Sequence, residues 1–184
     1  MGIGAAIIAG GILLSFGPSH YRQFDLYHAN LSGRWLLGED LCKANLRDAN
    51  LRETNLRGAD LSDAESDAEL SGANLSRANL SRAKLRGAKL IDADLSKADL
   101  SGADLSGVDL QWAVLSEAKL TNAKLIGTCL RNADLRNASL SGADLSRAFL
   151  SNADLSGTDL RQTQLDEACG IAKGLTLKPC ATAC

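Results

Sequence analysis

Two histidines, His20 and His28, make up the whole imidazole complement of this 184-residue chain. A nucleophile activated by a histidine base therefore has no base along most of the sequence. His28 could approach Cys42, but a structural or solvent-facing role suits both. Asp63, Glu65, Asp67 and Glu69 alternate with no basic residue among them, a spacing that brings a calcium loop to mind. The turn glycine and the distal bidentate glutamate of such a loop are missing. The run reads instead as a solvated acidic bulge, or as a dock for a basic partner. The many serines occupy turn positions. No phosphate loop, dinucleotide fingerprint or metal motif occurs. These residues predict no catalytic, cofactor or metal site, no small-molecule substrate, and a chain that is not an enzyme.

The elements that carry these residues follow from a single spacing. From Leu70 to Leu165 a leucine stands at every fifth position, with a small residue two positions before each. On an α-helix, leucines five apart are rotated by about 140° each time and smear around the cylinder. On a straight strand an odd spacing sends successive leucines to opposite faces. All of them point inward only if the chain turns about a quarter circle every five residues. Four steps close a square coil of about twenty residues, and coils stack at about 4.8 Å. Residues twenty apart then become neighbours. Asp134 and Asp154 would sit about 5 Å apart, either raising a pKa as an acid/base dyad does or simply repelling across a wet wall.

Each position in the five has its own chemistry. The small residue and the leucine face inward, and the residue between them faces outward and is usually Asp or Asn, as in Asn74, Asp94 and Asp104. Ser commonly follows the leucine, and then Gly or Asn, the residues a type II turn favours where φ is positive. Arg77, Arg82, Lys97 and Arg147 at that last position predict type I corners instead. The units ANLSR, ADLSK, ADLSG and AKLRG resemble the pentapeptide-repeat family, A(D/N)LXX. The resemblance covers about four fifths of the chain, from Phe24 to Ala168. It implies an all-β fold, a right-handed quadrilateral β-helix. It also implies that some members dimerise through an end coil.

Three regions are expected: an apolar segment at 1–23, the solenoid at 24–168, and a C-terminal cap or tail at 169–184. Leu26 to Leu61 keep the period, although Phe24, Arg34 and Glu39 occupy small positions. Phe24 would plug the first coil. Arg34 and Glu39 would pair, or their stretch would bulge. Leu61 and Leu70 are nine residues apart rather than ten, so the phase slips within 62–69 and a shortened wall or a small loop interrupts the stack there. The leucines then define about seven coils, a rod of roughly 30–35 Å. Leu175 and Leu177 would cover its last coil.

Composition narrows the function. A net charge of −2, with twelve Lys/Arg against thirteen Asp/Glu between residues 68 and 168, makes direct nucleic-acid binding a poor fit. Five scattered cysteines, Cys42, Cys129, Cys169, Cys180 and Cys184, form no disulfide framework or zinc pattern. Reduced thiols in a cytoplasmic protein are the plainer reading, with a bridge among the last three as the alternative. Residues 2–16 are apolar, short for a bilayer span, and spaced at Gly2, Ala6 and Gly10 for helix packing. They read as a membrane contact or as a packed tail.

On the rod itself, one wall gathers Ile91, Trp112, Cys129 and Phe149 at outward or corner positions. Ile91, Trp112 and Phe149 are the candidate interaction surface, and another protein is the expected partner. The leading function is a non-catalytic scaffold. The alternative, implied by the family resemblance, is a DNA mimic that modulates or protects a type II topoisomerase such as gyrase.

Overall fold

The computed structural model describes residues 25–161 and 168–170, together with the backbone of four two-residue strands, β1 (Ile7–Ile8), β2 (Ile12–Leu13), β3 (Ile171–Ala172) and β4 (Leu175–Thr176). Between Asp25 and Arg161 the chain winds as a four-sided coil of seven turns. One step shows how. The Ala78 N–H donates to the Leu75 carbonyl at 3.0 Å and closes a β-turn at the corner. Between corners, Leu75 N–H donates to the Asp94 carbonyl at 2.7 Å, and Asp94 N–H returns to the Ala73 carbonyl at 2.9 Å. Parallel bridges of this kind run from Asp25 with Asn45 to Phe149 with Cys169. Backbone polarity is thus satisfied from coil to coil, and the inward side chains have only to fill space.

They fill it with aliphatic groups. Leu36, Leu46, Leu51, Leu95 and Leu105 are fully buried, and so are the alanines at the small positions, such as Ala44 and Ala98. Threonine takes the small position at Thr54, Thr128, Thr158 and Thr163. Thr54 and Thr128 are fully buried, and their hydroxyls donate to the Leu31 and Leu105 carbonyls at 3.1 and 2.8 Å. No buried side-chain nitrogen or oxygen among the described residues lacks a partner.

The corners correct one expectation. Arg77 (φ 61°), Arg82 (57°), Lys97 (60°) and Arg147 (60°) have the same left-handed backbone as glycine corners such as Gly102 (68°). These corners are type II, not type I. A left-handed residue with a side chain costs roughly 1–2 kcal/mol. The ladder imposes the conformation, because the N–H groups of Arg77, Arg82 and Lys97 are aimed at the next coil, as Arg77 N–H is at the Ser96 carbonyl, 2.9 Å away.

The phase slip is taken up by a shortened segment, as one of the two expected forms, but without breaking the stack. The stack is not interrupted, and no bulge forms. Ser66 takes a leucine's place and is buried, while Ala68 takes the small position with only Asp67 between them. That corner is one residue short. Glu65 pairs with Asn45 below and Lys84 above, and Glu69 with Asn50 and Lys89, so the ladder passes straight through. The missing residue is absorbed by side chains: Ser66 Oγ accepts the Ala68 N–H at 3.1 Å, and Asp67 Oδ1 accepts the Asp48 N–H at 2.8 Å.

The first coil does not bulge either. Arg34 and Glu39 are half-buried, and their carbonyls accept the Asn55 and Asp60 N–H groups at 2.8 and 2.9 Å. β1 pairs antiparallel with β2, Ile7 opposite Leu13, while Gly2, Ala6 and Gly10, the positions of the expected helix-packing face, lie outside the described residues. Phe24, Leu177 and most of residues 2–16 lie outside the described residues, as do the side chains of Leu175 and its neighbours. Among the described residues no helix is long and apolar enough to cross a membrane.

Candidate interaction surface

The outward carboxylates are employed in the fold. Asp94 Oδ1 accepts the Ser96 N–H at 2.9 Å, Asn74 does the same for Ser76 at 3.0 Å, and the motif repeats up the rod. This is an Asx turn, and it explains why the position before the leucine so often holds Asp or Asn. Sequence reasoning treated that position only as polar. At Asp99 and Asp104, partial burial works against ionisation, yet the neighbouring Ser101 and Ser106 hydrogen bonds and nearby cations hold both carboxyls below the usual range.

The residues nominated for acid chemistry are spoken for in the same way. Arg82 forks onto Asp63 at 2.9 and 2.8 Å and holds its carboxyl low. Lys84 reaches Glu65 at 2.6 Å with the same effect, and Lys89 reaches Glu69 at 2.6 Å. With Asp67 bound to the Asp48 N–H, the acidic run becomes a ladder of paired groups. Asp134 does lie beside Asp154, but Arg136 grips it at 2.8 and 2.7 Å. That grip lowers the Asp134 pKa against the opposing push of Asp154, so the raised pKa of an acid/base dyad does not arise. The His28 ring lies against Tyr27, tilted by 46° with ring centroids 3.9 Å apart, and is 4.0 Å from Asp48. Cys42, the expected chance neighbour of His28, accepts the Ser62 hydroxyl at 3.4 Å. Among the described residues no group of three His, Cys, Asp or Glu is placed to hold a metal ion.

The cysteines depart from the reduced state expected of them. Cys42 is free, whereas Cys129 and Cys169 are disulfide-bonded.

The members of the apolar wall differ in exposure, and Cys129 is buried. Trp112 is 59% exposed on the corner between two walls, and Val114, 37% exposed, follows on the next wall. Ile91, one coil earlier, is half-buried beside a groove of about 410 Å³ whose Lys89 and Glu69 are paired. Phe149 is half-buried between Cys129 and Cys169 on the same column. Trp112 also has φ 61°, the left-handed corner conformation. A large aromatic ring in that region is a backbone outlier. A second apolar set, Tyr27, Trp35 and Leu37, is exposed on the first coil and was not singled out in the sequence. Its signal was available: Trp35 stands where Asp or Asn is usual.

The family model for pentapeptide repeats matches the chain in eight copies, over residues 25–63, 66–102, 98–137 and 133–169. The chain is similar to alr5209, a pentapeptide repeat protein from Nostoc PCC 7120, at 35% identity over 61% of this chain and 84% of that one, TM-score 0.47. It is similar to HetL of Nostoc sp. strain PCC 7120, a pentapeptide repeat protein involved in heterocyst differentiation regulation, at 32% identity over 75% and 85%, TM-score 0.28. QnrB1, a plasmid-mediated fluoroquinolone resistance protein, is 23% identical over 73% and 75%, TM-score 0.44. No curated protein matches.

Proposed function

Since the chain belongs to the pentapeptide-repeat family, whose fold is a right-handed quadrilateral β-helix, we propose that it is a non-catalytic scaffold that binds another protein along one wall. The observation that carries this reading is Trp112. The ladder forces a left-handed backbone at that corner, and glycine or asparagine would meet the demand at lower cost. The chain places its most exposed ring of the upper coils there instead, next to Val114 and one coil from Ile91. Exposed tryptophan is enriched among residues that anchor protein interfaces.

Charge argues against the DNA-mimic alternative. A mimic needs unneutralised carboxylates along the rod, and here Asp63, Glu65, Glu69, Asp99, Asp104 and Asp134 all face cations on the same or an adjacent coil. Such a surface presents little net field beyond about 8–10 Å at ordinary salt.

A pull-down from native lysate, comparing the unaltered chain with Trp112→Ala, Phe149→Ala, tests the proposal. Loss of the captured protein with an unchanged melting curve supports wall docking. Equal recovery by the two baits rejects it. Added to a type II topoisomerase supercoiling assay, the scaffold leaves the rate unchanged; inhibition or protection would favour the mimic.

A further inference from the structure

Glu53, Gly72, Asp92 and Trp112 follow one another up a single corner of the rod, each one coil beyond the last. All four have the left-handed corner backbone, with φ of 55°, 69°, 57° and 61°, so side chains leave this corner in parallel. Glycine leaves a gap in the row. The groove of about 410 Å³ lies there, floored by Ser71 and Gly72, with Arg52 and Glu53 on one side and Ile91 and Asp92 on the other. Glu53 leans over the gap, since a Cβ added at Gly72 would meet its Cγ at 3.4 Å.

The groove holds unspent charge. Among the described residues, Glu53 and Asp92 have no ion pair and no side-chain hydrogen bond. The other carboxylates at the same position of their corners, Asp48, Asp63 and Glu117, face His28, Arg82 and Lys97. Lys89 is taken by Glu69 at 2.6 Å. The lining carries three carboxylates against two cations, Arg52 and Lys89, so a cation is the charge it lacks. The acidic run from Asp63 to Glu69, read in the sequence as a dock for a basic partner, is closed by its own bonds.

We propose that this groove, on the corner below Trp112, receives a lysine or arginine side chain from an extended basic segment of the docked protein. Such binding rests on Trp112 being a contact residue, and it names the chemistry of the partner. Two rungs separate Glu53 from Asp92, roughly 9–10 Å, so a cation over Gly72 has a carboxylate on each side of it. Half-buried Ile91 gives its aliphatic stem an apolar rest. Trp112, one rung beyond Asp92, offers an aromatic ring to the same cation. The exposed Arg52 guanidinium is a donor for the carbonyls of the segment. From Glu53 to Trp112 is three rungs, about 14 Å, the length of about four extended residues.

The test uses the full chain carrying Trp35→Phe, which leaves Trp112 as its one tryptophan. The probe is the end-capped peptide Gly-Arg-Gly-Arg-Gly, in about 0.15 M salt, where charges are screened beyond about 8 Å. Trp112 fluorescence should change saturably with this peptide and stay constant with Gly-Glu-Gly-Glu-Gly. Glu53→Gln, Asp92→Asn should weaken binding by at least about tenfold with an unchanged melting curve. Asp25→Asn, Asp40→Asn removes the same two charges on other walls and keeps the oxygens that accept the Tyr27 and Cys42 N–H groups. That variant should bind within about twofold of the parent chain. No saturable change, or an equal loss in the two double variants, would overturn the groove. So would a bait carrying Glu53→Gln, Asp92→Asn that recovers the captured protein in full where Trp112→Ala, Phe149→Ala loses it, a result that leaves wall docking standing.

Discussion

The backbone N–H of Asp48 donates to a carboxylate oxygen of Asp67 at 2.8 Å, where neighbouring corners donate to a backbone carbonyl. Lys43 and Glu53, on either side of Asp48 along the coil, bond the carbonyls of Ser62 and Ser71. A side chain thus replaces the acceptor that the shortened corner withdraws. Asp67→Ala should lower stability by about 0.5–1.5 kcal/mol, and Asp67→Asn, which keeps the acceptor, by much less. Urea midpoints of the two variants check this, and equal losses would remove the substitution from the explanation.

The buried threonine hydroxyl separates polar from packing effects. Val108 occupies the small position one coil below Thr128 without exposure, so the column tolerates a branched side chain of that size. Thr128→Val should therefore cost about 0.5–1.5 kcal/mol, the value of its bond to the Leu105 carbonyl. Leu105→Ala opens a cavity in the shaft and should cost about 2–5 kcal/mol. Chemical denaturation of both variants gives the ratio.

Asp63 and Glu65 are held below their ordinary pKa by Arg82 and Lys84 respectively. Lowered carboxylates stabilise the folded chain fully above the unfolded value, about 4, and that share is lost as pH falls through the folded values. Stability should therefore decline below about pH 4.5. In Asp63→Asn, Glu65→Gln the decline should be shallower, and part should remain because Asp99, Asp104, Asp134 and Asp144 are lowered too. Denaturant midpoints from pH 6 to pH 3 measure it.

The backbone at Trp112 predicts an unusual result for removing an aromatic residue. Trp112→Gly relieves a left-handed strain of roughly 1–2 kcal/mol and adds about 0.5–1 kcal/mol of chain entropy cost. The melting temperature should stay level or rise slightly. A marked fall would mean that the ring packs on the rod rather than faces a partner.

What could be read from the residues divides by range. The leucine period alone dictated inward faces, square coils and their number, because each step depends on five consecutive residues. The wall address of Trp112 followed from the same arithmetic. Ser66 escaped notice because a polar residue in a leucine's slot looks like a break in the pattern. The turn type at Arg77 escaped because local preference points to type I, while the ladder bond to Ser96 decides otherwise. The bonded state of Cys129 lay furthest from view, since no CxxC or paired-cysteine spacing surrounds it in the sequence. The Asx role of Asp94 and its equivalents was in plain sight in the Asp–Leu–Ser order, and needed only the N–H two residues on to be considered.

The most direct test of a wall that docks protein is the affinity of the captured partner, once purified, for the unaltered chain and for Trp112→Gly, measured by titration calorimetry beside a melting curve. A contact ring at the centre of an interface is worth about 2 kcal/mol or more. Binding should weaken by at least about tenfold while the melting temperature holds. Equal affinities for the two chains would contradict docking through Trp112.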